Sequence, residues 1–122
     1  MQRFLKLLFA AALVAPLAAP AAFAHAFLDH AVPGVGMTVS GAPRELKLYF
    51  TQGVVTAFSH VHVLSDAGAA IPASKPVNDP SDQTIIIVRL GRALPPGTYT
   101  VSWHVVSVDT HTTQGIFSFT VS

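Results

Sequence analysis

The chain contains no cysteine. Small exported domains often rely on disulfides, so a domain built from this sequence must hold together by packing alone. The same absence excludes thiolate catalysis, blue copper with its Cys ligand, and zinc sites built on Cys pairs. Methionine is nearly as scarce, with Met1 and Met37 alone. Charge is thin as well: 11% of the 122 residues are charged and the formal net charge is +1. Nucleic acid demands a basic face, and none can be assembled here. No stretch of ten or more residues keeps a 3.6-residue period, so little helix is expected.

What the sequence does have is a leader-like start. Arg3 and Lys6 precede the apolar run "LLFAAALVAPLAAPAAFA" (7–24), and Ala22-Phe23-Ala24 fits the small-x-small rule for signal cleavage. Pro16 and Pro20 interrupt the run and no basic stop-transfer cluster follows, which argues against a membrane span. Residues 1–24 are therefore expected to be a cleaved secretory signal, and residues 25–122 a single domain. No twin-Arg pair is present, so the ordinary secretory route is expected. Cleavage after Ala24 makes His25 the first mature residue. Ala24-His25-Ala26 is also a small-x-small triplet, and cleavage after Ala26 would discard that histidine. Without residues 1–24, five basic residues face six acidic ones.

The remainder reads as all-β. "ELKLYF" (45–50) alternates Leu46, Leu48 and Phe50 against Glu45, Lys47 and Tyr49. "SHVHVLS" (59–65) sets Val61 and Val63 opposite His60 and His62. "TIIIVRL" (84–90) is a β-branched run suited to a sandwich core. "GTYTVSWHVVS" (97–107) puts Tyr99, Val101, Trp103 and Val105 on one face. "GIFSFTVS" (115–122) turns either Ile116 or Phe117 and Phe119 inward. Gly/Pro/Asn/Asp clusters at 32–36, 40–43, 65–72, 76–82 and 94–97 separate these runs. About seven strands at this spacing predict a Greek-key β-sandwich, immunoglobulin-like or cupredoxin-like in the broad sense.

Histidine is the remaining chemical resource: all six lie after residue 24, at 25, 30, 60, 62, 104 and 111. A free N-terminal His25 offers its α-amine and ring Nδ1 to one metal. The amine titrates near ~7.7–8.0, close enough to neutrality for a strong Lewis acid to displace its proton. In "VDTHTTQG", Asp109 and His111 are spaced i, i+2, so both project from one face of an extended segment. Amine, two imidazoles and a carboxylate suit square-planar or tetragonal Cu(II). The plain alternative is a polar loop in which Asp109 caps its own backbone and His111 is merely exposed.

Three blocks resemble the CopC/YobA family of periplasmic copper-resistance proteins: "HAFLDHAVPGVG" (25–36), "PRELKLYFTQGV" with "FSHVHVLSDAG" (43–68), and "LPPGTYTVSWHVVSVDTHTTQGIFSFTV" (94–121). The last is similar to the family pattern PGTY-x-V-x-W-x-V-x-S-x-D-x-H-x-x-x-G. The resemblance implies a periplasmic β-sandwich that binds one Cu(II) through the His25 amine and ring, His111 and Asp109, with Trp103 near the metal. It also implies a polytopic copper-transport membrane partner of the CopD type; a monomer is expected. Some members hold a Cu(I) site in a methionine-rich loop, but "VLSDAGAAIPASKP" (63–76) has no methionine, so no Cu(I) site is expected. Where some relatives have a glutamate near the copper, this chain has Gln52, a neutral amide that can orient a water or ligand without adding charge.

The i, i+2 pair His60 and His62 can chelate an auxiliary metal or form a solvated polar face. "HVH" also resembles part of the copper-zinc superoxide dismutase pattern, whose further metal histidines are not evident here. His104, opposite Trp103 in strand alternation, and His30 are expected at the surface. A copper carrier acting in storage, delivery or resistance, and not an enzyme, is the function these features favour. The alternatives are a copper-brace oxidative enzyme resembling lytic polysaccharide monooxygenases and a metal-free structural sandwich.

Overall fold

The computed structural model describes residues 25–122; the expected signal segment 1–24 and its cleavage bond lie outside or at the edge of this range. Nine strands follow in chain order: β1 (Leu28–Val32), β2 (Thr38–Val39), β3 (Glu45–Phe50), β4 (His60–Ser65), β5 (Ala70–Ile71), β6 (Val77–Asp79), β7 (Asp82–Arg89), β8 (Gly97–Val106) and β9 (Thr112–Val121). They form two sheets, ordered β1-β3-β7-β6 and β2-β9-β8-β4-β5. Every pairing is antiparallel except β2 with β9. A 3-10 turn at Thr56–Phe58 is the one short helix among the described residues.

Strand alternation sorts the side chains as the sequence pattern predicts. Leu46, Leu48 and Phe50 of β3, Val61 and Val63 of β4, and Tyr99, Val101, Trp103 and Val105 of β8 are all buried between the sheets. On β9 the choice falls to Phe117 and Phe119, 7% and 1% exposed, while Ile116 is 68% exposed on the outer face. The β-branched run of β7 divides. Ile86 and Val88 join the core, and Ile87 is buried apart from it, paired across the sheet with Val77. Burying each such side chain contributes about 1.5–3 kcal/mol, which is how the fold dispenses with disulfides.

Two segments that read as turns carry short strands: Ala70–Ile71 within 65–72, and Val77–Asp79 within 76–82. Edge strands of two or three residues, β2 among them, are too short to show a period. One glycine is required by packing. Gly115 faces Trp103 directly across β8 and β9, and a Cβ built on it would lie 2.5 Å from Trp103 Cζ2. The indole thus rests against bare backbone, with Phe50 edge-on to it at 5.2 Å between ring centroids.

Candidate metal centre

Three pieces of chain meet at one end of the sandwich: residues 25–27, the bend at 51–53 after β3, and the 107–111 turn joining β8 to β9. The first piece is tied to both sheets. Thr51 Oγ1 accepts the Phe27 N–H at 2.9 Å and donates to the His25 carbonyl at 3.2 Å, and Thr51 N–H donates to the Phe27 carbonyl at 2.9 Å. From the opposite sheet, Thr113 Oγ1 donates to the Ala26 carbonyl at 2.6 Å. Ala26 itself is fully buried in the core. These four bonds fix the residue that follows the expected cleavage bond.

The turn is fixed as firmly. Ser107, 1% exposed, donates its N–H to the His111 carbonyl at 2.8 Å, and its carbonyl accepts the Thr110 N–H at 2.8 Å. Val108 N–H donates to the Gly53 carbonyl at 2.9 Å, clamping the turn to the 51–53 bend. Thr110 has φ +73°, a left-handed conformation that is strained for a β-branched residue. Strain of this sort costs about 1–3 kcal/mol and persists only where surrounding contacts enforce it, commonly at functional sites.

Within this frame Asp109 Oδ1 accepts from the Ser107 hydroxyl and from the His111 backbone N–H, the latter at 3.3 Å. Asp109 Oδ2 lies 3.3 Å from His111 Nδ1. The Ser107 hydroxyl foremost, then the His111 N–H and ring, hold the Asp109 carboxyl below the usual aspartate range against the opposing effect of desolvation. It is therefore a carboxylate at neutral pH.

The two histidines that the sequence separates by most of the chain are adjacent here. The rings of His25 and His111 meet edge to face at 4.4 Å between centroids, and Phe27 stands edge-on to His25 at 5.9 Å. His25 Nδ1 is buried without a hydrogen-bond partner. A buried polar nitrogen left unpaired costs about 1–3 kcal/mol and is rare in folded proteins. A metal ion would satisfy it. Among the described residues no three His, Asp or Glu side chains are already gathered round one point as a metal cage. What stands together is two imidazoles and a carboxylate, while the His25 nitrogen is still the amide of the Ala24 bond.

Gln52 belongs to the bend between Thr51 and Gly53, whose neighbours both tie into this end of the fold. Trp103 is in the core, against Phe50 and Gly115. His60 and His62 are elsewhere, on the outer face of the five-stranded sheet. Sequence reasoning had no signal for Thr51 or Thr113 as positioning residues, because each acts through a backbone group distant in sequence, whereas Ser107 acts locally on Asp109 and His111.

The CopC domain model matches residues 28–122. The chain belongs to the CopC family. It is 40% identical over 111 residues to protein YobA of Escherichia coli K12, covering 91% of this chain and 90% of that one. It is 35% identical over 112 residues to copper resistance protein C of Xanthomonas campestris pv. juglandis, covering 88% and 87%. CopC from Methylosinus trichosporium OB3b superposes with a TM-score of 0.74 at 28% identity, covering 80% of this chain and 94% of that one. PcoC, a methionine-rich copper resistance protein from Escherichia coli, superposes with a TM-score of 0.73 at 28% identity, covering 80% and 99%. The matched CopC region contains Asp109 and His111 but begins after His25, so the case for His25 stands on its geometry.

Proposed function

We propose that residues 25–122 form an exported copper carrier that holds one Cu(II) per chain at the His25–His111–Asp109 end. The observation that carries this reading is the buried, unpartnered Nδ1 of His25 beside the ring of His111. Signal cleavage after Ala24 would free the α-amine of the same residue, and amine plus Nδ1 chelate one ion. His111 contributes an imidazole. Asp109 would supply Oδ2, since its Oδ1 is engaged by Ser107 and the His111 N–H. Three nitrogens and one carboxylate oxygen match the tetragonal preference of Cu(II), the most tightly held divalent ion at such donors.

The family relationship supports copper as the cargo, since the named relatives include copper resistance proteins. Periplasmic location, a monomeric state and delivery to a polytopic CopD-type membrane partner belong to the same proposal. So does the lack of a Cu(I) site, because thioether donors are missing from the 63–76 loop. A coordinating carboxylate fills an equatorial position that oxygen chemistry would need open, which favours carriage over a copper-brace enzyme. Titration of the mature protein with Cu(II), followed by EPR, tests the reading: one ion per chain with nitrogen-rich tetragonal parameters is expected. A rhombic or oxygen-dominated spectrum contradicts it.

A further inference from the structure

Three of the six histidines stand together on a different surface. His60 and His62 alternate on β4 with the buried Val61 and Val63, so both rings leave the outer face of the five-stranded sheet. The β4–β8 register sets His104 directly opposite His60. His104 alternates with the buried Trp103 and Val105, and so shares that outer face. The His60 and His62 rings are nearly parallel, 6.5 Å apart at their centroids, and His60 and His104 are 6.2 Å apart. All three residues are exposed.

The surroundings are as telling as the cluster. The strands of this sheet, β2, β4, β5, β8 and β9, contain no Lys, Arg, Asp or Glu at all. An outer sheet face is ordinarily kept soluble by charged side chains. Here histidines take the central positions, flanked by Ser102 opposite His62 and Gln114 opposite His104. No Lys or Arg of these strands opposes a bound cation and no strand carboxylate diverts the imidazoles; Lys75, on the segment after β5, lines the groove beside His60 and His62. Two histidines bound to one ion at about 2.0–2.1 Å per nitrogen place their ring centroids roughly 4.5–5.5 Å apart. The patch is therefore about 1 Å too open as it stands, a gap that side-chain rotation of exposed rings can close.

We propose that His60, His62 and His104 form a second metal site, for a late first-row divalent ion of the Cu(II) or Zn(II) type bound through imidazole nitrogens and water. Imidazole is a preferred donor for both ions. The site needs no processed N-terminus and goes beyond the carrier function proposed above. An open, water-completed site of neutral ligands binds more weakly than the chelating N-terminal one. His104 stands three residues before Ser107, about 10 Å along the strand at the usual rise, so an ion held here is close to the copper end.

The test uses residues 25–122 carrying His25→Ala and His111→Ala, which removes both imidazoles of the N-terminal centre in advance, with Zn(II) alone as the probe. Calorimetry should give one Zn(II) per chain, and NMR should show ring shifts at His60, His62 and His104 but not at His30, which is occupied with Asp29 and Tyr49. Adding His104→Asn should weaken Zn(II) about 10- to 100-fold, the scale of a supporting-group loss at a metal site, or more. His60→Asn should do the same. Unchanged affinity in both variants, or ring shifts confined to His30, overturns the proposal. Circular dichroism and NMR of each metal-free variant establish that the sheet is intact. Because His25 and His111 are already absent, failure of the carrier reading does not affect this outcome.

Discussion

The edge of one imidazole meets the face of another where His25 and His111 converge, 4.4 Å apart at their centroids, although 85 residues of chain lie between them in sequence. The N-terminal segment and the β8–β9 turn are held independently, by Thr51 and Thr113 on one side and by Ser107 and Gly53 on the other. The two rings are thus held near each other by contacts that owe nothing to an ion, and prior placement of this kind lowers the ordering cost of any ligand bound there.

Replacing His111 by Ala should lower Cu(II) affinity more than about 100-fold, beyond what loss of an outer supporting group usually costs. Competition titration against a chelator reads this directly. Replacing His60 and His62 together should leave the tight Cu(II) site intact, since they lie on another face.

Thr113→Val keeps the shape of the side chain but removes the hydroxyl that bonds the Ala26 carbonyl. An unsatisfied buried acceptor costs about 1–3 kcal/mol. Copper affinity should fall by about tenfold while the tetragonal EPR parameters persist, because the same donors are present but less well held. Unaltered affinity would separate the Thr113 tether from the site.

Ser107→Ala removes the chief cause of the lowered Asp109 pKa. In the wild-type protein the depressed carboxyl contributes stability above the unfolded value, near ~3.9, and loses it as pH falls through the folded value. The stabilising contribution is therefore lost only in acid, below about pH 4. In the variant, NMR titration should find the Asp109 carboxyl moved upward toward the ordinary range, with a smaller difference in stability between pH 7 and pH 3.

Gly115→Ala places a methyl group against the Trp103 indole, 2.5 Å from Cζ2. Overpacking of this kind costs about 1–3 kcal/mol. The urea midpoint should fall, and the Trp103 emission should shift as the ring is displaced.

Much of this architecture was legible from alternation alone. Leu46, Leu48 and Phe50, or Tyr99 through Val105, repeat every second residue over whole strands, and a strand with one buried face has to be written that way. Ala70–Ile71 and Val77–Asp79 were hidden in turn-like sequence, because two or three residues carry no period and their pairing is decided by their neighbours. At the candidate centre, Asp109 and His111 could be read as a unit from their spacing. His25 could be suspected from its place after Ala24 and from the family resemblance of the block it opens, not from any spacing to Asp109 or His111. The tethers through Thr51 and Thr113 were not readable, since a hydroxyl bonded to a remote carbonyl leaves no local pattern. The outward cluster was half visible: His60 and His62 share a strand, but only the β4–β8 register brings in His104.

The most direct test compares two proteins that differ at one point: residues 25–122 beginning at His25, and the same chain with one extra residue ahead of it. Each is titrated with Cu(II) against a competing chelator while Trp103 fluorescence and EPR are recorded. If the amine and ring of His25 chelate the metal, the native form binds one Cu(II) tightly and the extended form loses more than about 100-fold in affinity, with fewer nitrogens in its spectrum. Equal affinity and identical spectra for the two proteins would contradict a chelating His25 and leave the domain as a β-sandwich without this copper centre.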